Sequence, residues 1–511
     1  MKISGSVILS VINRLVTAVT GLIVQREILI TFGSDVNGLT ASISQALSYL
    51  ALLEAGLGTA SIQALYHPLA TNDSDGANGI LSATKIQYQK TGLLFLLALF
   101  GVSLLMPAIV HGELDAFTVG ALTWVTGLGN VVSYVFMGKY TTLLTADRKI
   151  GVIYCVDSLA SILSCVARIA MIISGVGILF VQAIAAGIIL LRTCVIARYV
   201  RSNMKWIDWN FTPNFNAIQS RWNVLIHQFT GLIAYNTDTV LLTVFRTLRE
   251  VSIYSVYNYI NSNISTILTT AFQQTPLGWF GKIAARSEKE FVKAISIFEA
   301  IYYVLLFTTL TTSLLLTLPF IRLYTNGISD EGYYAPLTAL LFFVMQLCNL
   351  VRVPASIAIN SFGWFKETQR GAVIEAAVNL LISIGLLQAI GLNGLLLGTI
   401  SAFLYRSVEL TAYYQKRLGI PLRTKLRKLL PCLMLSIIWI LLWSISFKTY
   451  ICSSWLEWLL LSVGVALVCG GGFLVISILF NKEDYKFIWG MLSPKIMSLV
   501  QREKSHKKRG K

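Results

Sequence analysis

Long apolar runs separated by short polar breaks fill this chain from end to end. Runs such as "LLFLLALFGVSLLMPAIV" and "LLLSVGVALVCGGGFLVISILF" are apolar on every face, and they match in length the ~20 residues that a helix needs to cross a bilayer core. Strands of a membrane barrel would instead alternate polar and apolar positions over about ten residues, so helices are the spanning element. The pattern predicts an all-α polytopic membrane protein with fourteen transmembrane helices, centred near residues 18, 52, 98, 131, 163, 188, 234, 265, 307, 348, 381, 404, 438 and 468. The first run begins almost at Met1, extends to about Phe32 and carries Arg14 with no small-residue cleavage site. It reads as a retained first helix.

Two short segments at the starts of the first and seventh spans match. "NRLVTAVTGLI" from Asn13 aligns with "NVLIHQFTGLI" from Asn223, pairing Thr20, Gly21, Leu22 and Ile23 with Thr230, Gly231, Leu232 and Ile233. A six-span repeat is even, so both halves enter from the same side, the plan of parallel-repeat transporters with a site near the midplane between two lobes. The expected organisation is an N-lobe over 1–203 (helices 1–6), a C-lobe over 204–418 (helices 7–12), and two extra helices with a basic tail over 419–511. The connection "RSNMKWIDWNFTPNFNAIQSR" reads as a linker lying along the membrane surface.

Charge sets the orientation. With the amino terminus inside, the inner breaks carry Arg148, Lys149, Arg201, Lys205, Lys282, Arg286, Lys366, Arg370, Lys416, Arg417, Lys425, Lys428 and the tail "QREKSHKKRGK". The outer breaks hold few cations beyond Arg246, Arg249, Arg322 and Lys448, beside Asp35, Glu113, Asp115, Asp330 and Glu331. This asymmetry predicts both termini in the cytoplasm. A hydrophobic share of 55%, a charged share of 13% and a mean hydropathy of +0.69 fit no soluble class. The net charge of +17 follows from topology and from attraction to anionic headgroups; membrane lipids are expected partners and nucleic acid is not. Seven cysteines show no CxxC pair and read as small packing residues.

Ionisable residues within the spans fall into two sets. Lys139, Arg192, Glu299, Glu375, Arg406 and Glu409 sit near inner span ends, where long side chains can snorkel to the headgroups. Arg14, Glu54, Asp157, Arg168, Asp238 and Arg352 lie deeper. Six deep charges facing lipid would cost on the order of 15 to 20 kcal/mol, at about 2.5 to 3.5 kcal/mol each. They must neutralise one another or line a wet cavity.

Helical spacing places Arg14, Thr17, Gly21 and Gln25 on one face, His227, Gly231 and Asp238 on another, and Asp157 with Arg168 on a third. Tyr254, Asn258, Asn261 and Ser265 form a polar stripe that suits sugar hydroxyls, a wet wall or interhelical hydrogen bonds. Glu54 stands alone in "YLALLEAGLGTASIQALYHPLA" and is expected to face the interior, with Arg14 as its first candidate partner. Arg168 and Arg352 either contact an anionic substrate or pair with Asp157 or a carbonyl. The candidate substrate-binding set is therefore Arg14, Glu54, Arg168, Arg352, His227, Tyr254, Asn258 and Asn261, although His227 reads more readily as a packing residue. Asp238 and Asp157 are the candidates for ion coupling. No GxxxxGK[ST], HExxH or GxSxG motif occurs, and the outer breaks are too short for a catalytic domain, so transport is favoured over membrane enzymology. No cofactor or metal is expected; a Na+ or H+ gradient is the candidate energy source.

The stretch from Thr20 to Asp73 resembles the opening of bacterial polysaccharide transporters of the Wzx type, in the multidrug/oligosaccharidyl-lipid/polysaccharide (MOP) exporter superfamily. Arg26, the turn glycines Gly33 and Gly38, "LLEAGLG" and the "LYHPLA" exit carry the likeness. The resemblance implies a flippase that moves undecaprenyl-diphosphate-linked oligosaccharide repeat units across the bacterial cytoplasmic (inner) membrane for surface polysaccharide synthesis. It also implies a lipid-linked oligosaccharide and other polysaccharide-assembly proteins as partners. A cation-coupled multidrug antiporter of the same superfamily, and a membrane glycan polymerase or ligase, are the alternatives.

Overall fold

The computed structural model describes residues 5–54, 56–112, 114–218, 237–328, 330, 332–446 and 452–487. Helices dominate throughout: α1 Gly5–Leu50, α2 Leu57–Thr71, α3 Ser74–Ile109, α4 Ala116–Val132, α5 Gly138–Ala146, α6 Ile150–Ile173 and α7 Ile178–Asn203. After a helical stretch at 237–245 come α8 Leu248–Thr269, α9 Thr275–Arg286, α10 Glu288–Tyr324, α11 Pro336–Leu350, α12 Val353–Phe362, α13 Phe365–Ile390, α14 Leu392–Arg417, α15 Leu422–Ser446 and α16 Trp455–Phe480. Among the described residues, ten helical segments are long and apolar enough to cross a membrane. The chain is an all-helical, multi-pass membrane protein.

The ten cover most of the fourteen expected spans and revise the second. The expected centres at 18 and 52 fall on one continuous segment, Ile8–Glu54, that bends at Gly33 and ends where the second span should have its middle. The segments around 265 and 404 are helical, as parts of α8 and α14, but are not among the ten. The centre at 234, the repeat partner "NVLIHQFTGLI" and His227 lie outside the described residues.

Side-chain caps start several helices. Asp73 accepts from Gly76 N–H at α3, Asp115 from Thr118 N–H at α4, Ser287 from Glu290 N–H at α10 and Ser454 from Glu457 N–H at α16. Hydrogen bonds from Thr118 hold the exposed Asp115 carboxyl below the usual carboxylate range.

Two compact units emerge. The first comprises Met1–Ile260, Gly327–Tyr333 and Ser383–Leu395; the second comprises Asn261–Asn326, Tyr334–Ile382 and Leu396–Lys511. In the first, α1 packs along α6, α3 along α4, and α7 against both α4 and α6. The segment after α7 folds back on α3 and α5: Met204 and Ile218 are buried, Trp209 packs edge-on against Tyr140, and Lys139 stands 4.8 Å from the Trp209 ring. In the second unit, α10 is the central helix, flanked by α15 and α16, with an aromatic core that includes Phe280, Phe291, Tyr302 and Phe307.

Polar side chains join α1 to later helices within the first unit. Asn37 Nδ2 donates to Ser252 Oγ at 2.6 Å, Ser34 and Ser252 hydroxyls meet the Tyr333 hydroxyl at 2.7 and 2.6 Å, and Ser42 meets Thr243 at 2.7 Å. The bend that aims Ser34 and Asn37 sits at Gly33, with φ 84° and ψ 177°. Only glycine adopts that region freely, and a side chain there costs about 1 to 3 kcal/mol. Gly33→Val is therefore expected to lower the melting temperature of the purified protein while leaving its helix content unchanged, as read by circular dichroism.

Candidate functional site

The deep acid Glu54 lies at a break in the second span. After α1 the chain makes a single 3-10 turn, Ala51–Glu54, then passes through Gly56 at φ 82° into α2. Tyr88 of α3 donates its hydroxyl to Glu54 Oε1 at 2.9 Å, and Gly58 lies beside the same carboxylate, where a Cβ would stand 3.3 Å from Oε1. The expected Glu54–Arg14 pair does not form. A carboxylate just before a helix start lies at the positive end of the helix dipole and here also accepts from a tyrosine hydroxyl, which lowers its need for a cation.

Arg14 is exposed and makes no hydrogen bond or ion pair among the described residues. At 100° per residue, Arg14 and the exposed Thr17 lie well round α1 from the exposed apolar stripe of Ile8, Leu15, Val19 and Ile23. The helix thus shows one lipid-like side and a second, polar side.

The same division holds on α6. Exposed Leu159, Val166 and Ile173 mark one side, and Asp157 with Arg168 fall on the opposite one, as the spacing predicts. Their partners differ from the expected ones. Asp157 pairs with Arg192 of α7, Nε to Oδ1 at 2.5 Å, so Arg192 is drawn inward as a counter-ion. Arg168 donates to Gln182 Oε1 at 3.0 Å, while its Nε is buried without a hydrogen-bond partner. Among the described residues no carboxylate forms an ion pair with Arg168.

In the second unit the deep cation Arg352 is neutralised by an acid expected at the membrane surface. Arg352 pairs with Glu375 at 2.7 Å, bonds Asn349 Oδ1 at 2.8 Å and lies 5.2 Å from the Phe403 ring. Arg406 stands 3.4 Å from Glu375 and 2.7 Å from Glu409. Two cations and two acids from α12–α14 thus balance, with Arg352 and Glu375 each only 5% exposed. Glu375 and Arg406 do not snorkel. Neither do Glu299, which accepts from the Tyr414 hydroxyl at 2.6 Å, nor Lys428, which binds Ser296 O at 2.6 Å and Asp484 at 3.3 Å. Lys425, expected in an inner break, is buried in α15 against Thr411 at 2.6 Å. Hydropathy placed these groups at span ends; the helices run on past them and bury them against neighbours.

The polar stripe on α8 begins at Tyr254, buried and donating to Asp238 Oδ2 at 3.2 Å. Asn258 is half-buried and Asn261 buried. Tyr88, Gln182, Asn37 and Ser252 were missed in the sequence. Gln182 is a single polar residue in an apolar run, whereas Tyr88, Asn37 and Ser252 stand beside other polar residues that read as part of a break; only "LLEAGLG", with two glycines just after an acid, signals the break that Tyr88 serves.

α1 and α6 thus each show a polar side, the second expected span is broken at Glu54, and Arg168 has no acid partner among the described residues. Solved structures share this fold. The chain is similar to a lipid II flippase MurJ in an inward closed conformation, with TM-score 0.69 and 13% identity over 93% of this chain and 99% of that one. It is also similar to an inward-facing multidrug resistance MATE family transporter of the MOP superfamily, with TM-score 0.64 and 14% identity over 80% and 98%. A MOP superfamily transporter from Pyrococcus furiosus gives TM-score 0.54 and 14% identity over 81% and 95%. The chain shares its fold with these solved structures. No protein-family model matches the chain, and no curated protein does.

Proposed function

We propose that the chain is a flippase of the Wzx type, which carries undecaprenyl-diphosphate-linked oligosaccharide repeat units across the bacterial cytoplasmic membrane by alternating access for surface polysaccharide synthesis. Arg168 carries this reading: a guanidinium turned away from the exposed apolar side of its helix, bonded to a neutral amide and without an acid partner among the described residues. Such a group is costly to keep in a membrane and suits a phosphate-bearing ligand, which accepts from several guanidinium N–H groups at once. Arg14, exposed on the polar side of α1, adds a second cation. The likeness to the lipid II flippase supports the reading by its reach, 93% of the chain against 80% for the MATE transporter. In this reading both termini are cytoplasmic, the lobes are 1–203 and 204–418 with two further helices after them, and other polysaccharide-assembly proteins are partners.

Deleting the gene tests it. Lipid-linked repeat units are expected to accumulate on the inner leaflet, protected from a membrane-impermeant glycosidase added outside, with drug susceptibility unchanged. Units exposed outside but left unpolymerised would indicate a polymerase or ligase, and drug sensitivity alone would indicate an antiporter.

A further inference from the structure

The connection that follows α7 is strapped to polar positions of α3. Asn78 Nδ2 donates to Trp206 O at 3.2 Å, Asn78 Oδ1 accepts from Asp208 N–H at 3.0 Å, and Asn214 N–H donates to Gly79 O at 2.9 Å. Lys85 Nζ adds bonds to Trp209 O at 3.3 Å and to Asn210 Oδ1 at 3.1 Å. Both acceptors are neutral. Lys139 Nζ stands 4.9 Å from the Tyr140 ring and 4.8 Å from the Trp209 ring, with no hydrogen-bond acceptor among the described residues. Lys85 and Arg201 lie close enough to repel it. None of the three cations forms an ion pair with an acid among the described residues. Asp208, the acid of the strap, turns one oxygen to Asn210 N–H at 2.9 Å instead. Like charges gathered at one place repel, so the arrangement calls for an anion.

We propose that Lys85, Lys139 and Arg201, beside Trp209, form a binding site for the phosphate of an anionic phospholipid headgroup. Lys139 offers its ammonium N–H groups, Lys85 the one it does not spend on the strap, and the exposed Arg201 a planar fork that holds two phosphate oxygens at once. The Tyr140 and Trp209 rings keep Lys139 in place. Position argues for a lipid as the source of the phosphate. Arg201 lies in the last turn of α7, and α3, at 36 residues, exceeds the ~20 that a bilayer core needs, so Lys85 in its first third falls near the headgroup boundary. Trp206, 41% exposed, suits the same level. A headgroup held here would fasten the strap to α3, α5 and α7. The site is separate from Arg168: Gln182 and Arg201 stand at opposite ends of α7, about 28 Å apart at ~1.5 Å per residue. It therefore does not depend on the flippase reading.

The test places the full chain in nanodiscs of phosphatidylcholine with a rising fraction of phosphatidylglycerol, and no glycan substrate is needed. Amide exchange over residues 206–214 is expected to slow as phosphatidylglycerol is added. The fraction that gives half the effect should rise about fivefold in Lys139→Gln and again in Arg201→Gln, the share of one cation at a lipid surface. Lys282→Gln removes an exposed cation of α9 in the second unit and should leave that fraction unchanged. An equal rise in Lys282→Gln would mean diffuse attraction to the membrane and overturn the site, as would exchange that ignores lipid composition. If Lys139→Gln fails to fold, Arg201→Gln decides, since Arg201 is exposed and in no ion pair among the described residues. Inorganic phosphate added to pure phosphatidylcholine discs should have no effect. Slowing by inorganic phosphate as strong as by phosphatidylglycerol would overturn the lipid assignment.

Discussion

Glu375→Ala is expected to unfold the second unit or leave it too unstable to purify. Glu375 presents one oxygen to Arg352 at 2.7 Å and the other to Arg406 at 3.4 Å, in surroundings where it is 5% exposed. Removing it takes from both guanidiniums the carboxylate they share and leaves Arg406 with Glu409. Breaking one partner of a buried pair costs about 3 to 5 kcal/mol because the orphaned charge stays desolvated. That is a large part of the roughly 5 to 15 kcal/mol that holds a domain together. Replacing both members with apolar residues is a different experiment. Arg352→Met combined with Glu375→Leu removes charge in balance and leaves Arg406 with Glu409, so most of the lost stability should return. Melting temperatures in nanodiscs separate the cases. A stable Glu375→Ala protein would mean that the cluster is hydrated and that its charges are available to a ligand.

That result bears on how far the sequence could be read. Hydropathy and charge locate most of the spans, ten of them long and apolar enough among the described residues, and single out Arg14, Glu54, Asp157, Arg168, Asp238 and Arg352 within them, because insertion cost depends on local composition. Pairing does not. Arg352 meets Glu375, on the next long helix, and Glu299 meets Tyr414 across more than a hundred residues. No periodicity carries that information, so acids and lysines near span ends look like surface groups in the sequence although the fold buries them. The faces of α1 and α6 were legible because 100° per residue is a property of one helix. The break at Glu54 was only half legible: Gly56 and Gly58 mark it, but the surrounding run is apolar enough to look like an uninterrupted span.

Arg168→Ala should do the reverse of Glu375→Ala, keeping the fold and losing transport. Among the described residues its side-chain partner is the amide of Gln182, at 3.0 Å, and no acid there is left uncompensated when the guanidinium goes. Desolvation of a lone cation is itself unfavourable, so melting temperature should hold or rise. Hydrogen bonds to a charged group contribute about 1.5 to 3 kcal/mol, which corresponds to roughly a ten- to hundredfold loss in the apparent affinity for a diphosphate-bearing substrate. Arg168→Lys keeps the charge but forfeits the planar fork, and should fall between wild type and alanine. Translocation of a lipid-linked repeat unit in proteoliposomes, measured beside melting of the same preparations, reads both quantities. Should Arg168→Ala melt early and still move substrate at the wild-type rate, the guanidinium is a packing element, and the observation that carries the flippase reading is gone.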